Sequence, residues 1–191
     1  MTTGGRAGVG GGQRRALLQG VAGAPAQSPM DRRWRAAVIT VSDSRARRGA
    51  AEDSSGDAIV ARLADLPADV VIRRVVADSA DEIRSALRDA VEGANLVVLS
   101  GGTGLGPRDV TPQAIRPLLD YEIPGMAEAM RREGLRGTPH AMLSRRVVGV
   151  ARRRLVMVLP GSPRAVIEGL DAVWEALPHA LRLLSGDTAH H

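Results

Sequence analysis

From Ala36 onward, short apolar runs alternate with stretches whose apolar residues recur every three or four positions. Ala36-Ala37-Val38-Ile39-Thr40-Val41 is nearly unbroken and rich in β-branched residues, as in a parallel strand buried on both faces. Asp53 or Ser54 then caps a helix that carries Ile59, Val60, Leu63 and Leu66 on one face. Val70 to Val76 reads as a second strand, and Ser79-Ala80-Asp81-Glu82 has the spacing of a capping box. The helix it opens holds Ile83, Ala86, Leu87 and Ala90 at core spacing. Leu96-Val97-Val98-Leu99 is a third buried strand and runs directly into Ser100-Gly101-Gly102-Thr103-Gly104.

The alternation continues to the end of the chain. Thr111 as an N-cap before Pro112 predicts a helix through Ile115, Leu118 and Leu119. A short helix is expected over 126–132. Val147 to Val150 and Leu155 to Leu159 flank an arginine turn and predict a hairpin. Ser162-Pro163 opens a last helix with Val166, Leu170, Val173 and Leu177 inward, which Pro178 should kink or split. The sum is a three-layer α/β/α domain with a mostly parallel central sheet plus a small hairpin. In such sheets ligands bind beyond the carboxyl ends of the strands.

The first 34 residues follow a different rule. Eight of the 22 glycines fall before residue 24, and Ala16-Leu17-Leu18 is the one apolar cluster. Too little surface can be buried there to offset the entropy of ordering, so 1–34 is expected to be a flexible Gly/Arg-rich tail before a domain over 35–187. Arg14-Arg15, the Ala/Leu/Val stretch and Ala24-Pro25-Ala26 loosely mimic an export signal, but Gln19 and Gly20 interrupt the apolar part. No run approaches the roughly 18 apolar residues that cross a bilayer, so no membrane association is expected.

Composition narrows the chemistry. The 191 residues are 44% hydrophobic and 25% charged, an ordinary globular balance. All 26 basic residues are arginine, which removes lysine Schiff bases and the lysine-dependent phosphate loop. The absence of cysteine removes disulfides, thiolate zinc sites and cysteine nucleophiles, and suits a cytoplasmic protein. The net charge of +5 resides mostly in residues 1–34, which carry five arginines against Asp31. The remaining 21 arginines face 20 acids, and Trp34, Tyr121 and Trp174 are the three aromatics, so a nucleic-acid partner is not expected. Arg152-Arg153-Arg154 reads as the solvated tip of the hairpin.

The loop after the third strand carries the strongest chemical signal. Gly101, Gly102 and Gly104 let backbone amides approach an anion closely. Arg108, Asp109 and Thr111 follow, offering a phosphate cation, a metal carboxylate and a hydroxyl. Ser42-Asp43, Asp78 and Pro160-Gly161-Ser162 lie at other strand ends, where the architecture brings them together. Asp78 and Asp109 could hold a divalent ion, since Mg²⁺ commonly takes one or two carboxylates plus substrate phosphates. The histidines show no metal-ligand spacing.

Ser100-Gly101-Gly102-Thr103-Gly104 followed by Arg108-Asp109-x-Thr111-Pro112 resembles the signature of the MoaB/Mog family of molybdenum cofactor biosynthesis proteins, which includes the gephyrin G domain. Val41-Ser42-Asp43, Asp53-Ser54-Ser55-Gly56, Ile123-Pro124-Gly125-Met126, Met142-Leu143-Ser144-Arg145 and Leu159-Pro160-Gly161-Ser162-Pro163 extend the resemblance over 36–186. It implies a molybdopterin-binding domain that transfers AMP from Mg-ATP to the terminal phosphate of molybdopterin and releases pyrophosphate. It further implies Asp78 and Asp109 as the catalytic and Mg²⁺-holding pair. Ser144 and 160–163 would line the pocket, with a homotrimer or hexamer as the assembly and other molybdenum cofactor biosynthesis proteins as partners. Arg164 stands where the family often has lysine or asparagine. A molybdopterin-binding scaffold without transfer activity and a CinA-type nucleotide-acting domain are the competing readings.

Overall fold

The computed structural model of the chain describes residues 33–48 and 53–186. Most of the expected tail, and residue 187 at the other boundary, lie outside them. Trp34, the last residue of the expected tail, is buried as the first residue of β1, and Arg33 donates to Asp69 at 2.9 Å.

Among the described residues, six strands form one sheet. They are β1 (Trp34–Val41), β2 (Ala68–Val76), β3 (Leu96–Ser100), β4 (Tyr121–Glu122), β5 (Val147–Ala151) and β6 (Arg154–Leu159), in the order β2-β1-β3-β6-β5-β4. β2, β1, β3 and β6 are mutually parallel, while β5 runs antiparallel to both of its neighbours. Alternating side chains divide the core between the two faces. Ala36, Val38, Leu96, Val98, Leu155 and Met157 face one helical layer, and Ala37, Ile39, Val97, Leu99, Val156 and Val158 face the other. The first face packs on α2 (Ser54–Leu63), α5 (Pro124–Gly137), α6 (Pro163–Asp171) and α7 (Leu177–Ser185). The second packs on α3 (Ala80–Gly93) and α4 (Thr111–Ile115). The three-layer expectation holds, because strands buried on both faces need a helix on each.

Local details depart from the expectation where capping was assigned. Ser79 precedes α3 but makes no side-chain cap, and Glu82 instead accepts from the Ala77 amide at 3.1 Å. Thr111 is the first residue inside α4, and Val110 occupies the cap position. The helix expected over 126–132 runs longer, starting at Pro124. The last helix does divide, through a 3₁₀ turn at Trp174–Ala176, with Pro178 in the first turn of α7. α1 (Asp43–Arg48), the two-residue strand β4 and a 3₁₀ turn over Pro139–Leu143 were not anticipated.

The arginine run is at a hairpin tip, but its side chains are not simply solvated. Arg152 pairs with Glu92, Arg153 donates to Leu184 O at 3.1 and 3.2 Å, and Arg154 donates to Val91 O at 3.3 Å. The last two acceptors are carbonyls near the ends of α7 and α3, where a cation satisfies groups that the helix leaves open.

Candidate active site

The order β2-β1-β3 makes the chain leave β1 toward one side and β3 toward the other, which opens a crevice at their carboxyl ends. Thr40 is in register with Ser100, and Ser100 with Leu159, so the loops after β1, β3 and β6 emerge side by side.

The glycine loop is shaped by these neighbours. The Gly101 amide donates to Leu159 O at 3.0 Å, and its φ of +107° is open to glycine alone in practice. A Cβ there would lie 2.2 Å from Val41 O. Gly102, at φ +62°, would place a Cβ 2.3 Å from Thr111 Oγ1 and 3.3 Å from Asp78 Oδ1. The loop therefore runs tight against both the first strand and the start of α4. Among the described residues, the amides of Gly102, Thr103, Gly104 and Leu105 enter no hydrogen bond, and buried Thr111 Oγ1 has no partner. Uncommitted donors on a glycine loop form a nest for an anion.

Three carboxylates border this loop. Asp43, at the start of α1, and Asp78, after β2, each accept from the other's backbone amide, at 3.0 and 2.9 Å. Arg108 pairs with Asp43. Asp109 Oδ2 accepts from the Gly106 amide at 2.8 Å and stands 2.9 Å from where a Cβ on Gly104 would lie. Burial pushes the Asp78 carboxyl above its ordinary value; the charges of Asp43 and Asp109 add to this, while the Asp43 amide and Arg108 oppose it. Among the described residues no three side chains form a metal cage. Carboxylates that repel one another beside free amides do fit a Mg²⁺ ion held partly by substrate phosphates.

The other expected residues fall into two groups. Ser42 lies at the crevice, its hydroxyl 3.1 Å from Ser44 Oγ, and Gly161 packs against Gly101. Ser144 Oγ is 3.4 Å from Thr103 Oγ1, joining the segment before β5 to the glycine loop. Ser100 and Ser162 each also make a bond within the scaffold. Ser100 is fully buried and donates to Pro160 O at 3.0 Å, while Ser162 caps α6 by accepting from the Ala165 amide at 3.3 Å. Arg164 turns back along α6 to Glu168, at 2.6 Å.

Asp53 is the cap of α2, as the sequence allowed, and it also braces the site together with Arg145 and Arg146, to which sequence reasoning gave no role. Asp53 is wholly buried, accepting from Thr40 Oγ1 and the Gly56 amide, both at 2.9 Å, so it ties α2 to β1. Arg146 is 4% exposed and donates to Met130 O at 2.6 Å. Burial and neighbouring Arg131 hold its guanidinium below the usual arginine value, with Glu168 acting the other way. Arg145 donates to the carbonyls of Gly104 and Asp109. An arginine pair just before an apolar strand was the available signal, but its partners are backbone atoms that no residue pattern marks.

Comparison with known proteins adds a family. The family described as "Probable molybdopterin binding domain" matches residues 37–179. The chain is 43% identical over 152 residues to a molybdenum cofactor biosynthesis bifunctional protein of Synechococcus elongatus, covering 79% of this chain and 47% of that protein. It thus spans about half of that relative's length. It is 36% identical over 154 residues to the molybdopterin adenylyltransferase of Helicobacter pylori, covering 78% of this chain and 87% of that one. Among solved structures, the molybdopterin biosynthesis enzyme MoaB of Thermus thermophilus superposes with a TM-score of 0.73 at 48% identity, covering 80% of this chain and 97% of its own.

Proposed function

This chain belongs to the probable molybdopterin binding domain family of molybdenum cofactor biosynthesis, and we propose that it is a molybdopterin adenylyltransferase using Mg-ATP. One observation carries the reading: the free amides of 102–105 and the unpartnered Thr111 hydroxyl adjoin Asp78 and Asp109 in one crevice. The relatives named for this activity cover most of their own length in the match, which favours the reading over a CinA-type domain.

In this reading a terminal phosphate oxygen of molybdopterin attacks the α-phosphorus of ATP. The new P–O bond forms as the bond to the β-phosphate oxygen breaks, and pyrophosphate leaves with the electron pair. The nucleophile is already an anion, so no serine, cysteine or histidine need be activated. The chain's task is to hold two anions in line and to stabilise charge on the leaving group. The 102–105 amides and Thr111 Oγ1 bind phosphate oxygens. Arg108 exchanges Asp43 for a phosphate, and Ser42 and Ser144 border the pterin end beside Pro160 and Gly161. Asp78 and Asp109 would hold Mg²⁺, which supplies charge neutralisation on the phosphates when bound.

The same reading makes the working form a cytoplasmic homo-oligomer, trimer or hexamer. Exposed Leu135, Met142 and Leu143 on α5 and the turn after it offer apolar surface for this. Among the described residues no helix is long and apolar enough to cross a membrane. The test incubates purified protein with molybdopterin and Mg-ATP and looks for adenylylated pterin with matching pyrophosphate. Protein that binds pterin yet never transfers AMP is a scaffold instead.

A further inference from the structure

Arg145 directs its donors at the backbone. Its Nε donates to Gly104 O at 2.8 Å, another guanidinium nitrogen donates to Asp109 O, and its own amide donates to Thr103 O at 3.0 Å. The side chain is half-buried and makes no ion pair among the described residues. One planar fork therefore spans both ends of the 104–109 turn.

This has a geometric consequence. In a trans peptide the carbonyl of one residue and the amide of the next point in opposite directions. With the Gly104 and Asp109 carbonyls drawn to the guanidinium, the amides of Leu105 and Val110 are turned away from it. The turn so fixed also holds the Asp109 carboxylate, through the Gly106 amide at 2.8 Å. We propose that Arg145 is the positioning residue of this loop, setting the aim of its amides and of Asp109 at a polyphosphate. The inference rests on the adenylyl-transfer reading above. A lysine ammonium lacks the rigid fork and cannot reproduce the double tether.

The experiment measures binding of Mg-ATP and of AMP by calorimetry, together with melting temperature, for the full chain and for Arg145→Lys and Arg145→Met. ATP affinity is expected to fall by about tenfold or more in Arg145→Met, with Arg145→Lys between it and the wild type. AMP lacks the β- and γ-phosphates, so its affinity should change by less than about twofold on the same nest argument. A selective loss for ATP without a matching loss of melting temperature supports positioning. Unchanged ATP affinity overturns it, and so does an equal loss for ATP and AMP that tracks the melting temperature in both variants. Wild-type protein that fails to bind Mg-ATP at all overturns the adenylyl-transfer reading, and this inference with it.

Discussion

Asp43 and Asp78 hold each other by reciprocal bonds, each carboxylate accepting from the other's amide at 2.9–3.0 Å. The pair joins the ends of β1 and β2 while keeping acidic charge beside Asp109. Burial first, and then these charges, raise the Asp78 value. A raised carboxyl favours the protonated form in the fold, so its stabilising share is present below the ordinary carboxylate pKa and lost as pH rises through the folded value. Asp78→Asn should therefore melt higher than wild type near neutral pH. The advantage should shrink and vanish as the pH falls through the raised folded value and wild-type Asp78 itself takes up a proton. Melting curves across that range test it, and a lower neutral-pH melting point would sink the argument.

The same variant should lose AMP transfer, as should Asp109→Asn, while both keep the fold and pterin affinity. In Asp109→Asn the side-chain amide oxygen can still accept from the Gly106 amide, but a neutral amide is a poor Mg²⁺ ligand. Paired measurement of pterin binding and adenylylated product decides it. Full activity in Asp109→Asn would remove that residue from the metal assignment.

Gly102 and Gly104 should behave differently on substitution by alanine. At Gly102 the left-handed backbone and the 2.3 Å approach to Thr111 Oγ1 strike the fold itself, at a cost of about 1–2 kcal/mol from the backbone alone. At Gly104 the close atom is the Asp109 carboxylate oxygen, which can swing aside. Denaturant melts should show a clear loss for Gly102→Ala and little for Gly104→Ala, and AMP transfer should fall in both. Equal stability losses would contradict the contrast.

Thr111→Val replaces an unpartnered buried hydroxyl with a methyl of nearly the same volume. The free protein should become more stable, by about 1 kcal/mol, because no polar atom is left unsatisfied. Mg-ATP affinity should fall, since the variant cannot bond a phosphate. A variant that gains no stability would mean that the hydroxyl is already satisfied by solvent; one that keeps full ATP affinity would mean that it does not touch the nucleotide.

Most of the sheet was legible because strands buried on both faces leave unbroken apolar runs, as from Val38 to Val41 save Thr40. The glycine loop and its acidic neighbours were legible because glycine and aspartate at strand ends are chemically unusual together. α1 was not legible: Asp43 to Arg48 contains no apolar periodicity, since Ala46 is its lone apolar residue. Thr111 was read as a cap because its residue type and the following proline fit that position. Val110 took it instead, leaving the hydroxyl for another use. Arg145 acts on carbonyls 41 and 36 residues away, and a backbone oxygen leaves no mark in a residue pattern.

The place of β6 in the sheet has a consequence for synthesis. It is the last strand in the sheet to be made, yet it pairs with β3, far earlier in the chain, and its end receives the Gly101 amide. A nascent chain that has made β1, β2 and β3 but not β6 lacks the acceptor that anchors the glycine loop. Long-range pairing of this kind is slow to nucleate, because the loop entropy is lost before the contacts form. A competent crevice thus arises only once β6 has been made and paired, and in the adenylyl-transfer reading nucleotide capture would report that the sheet is complete.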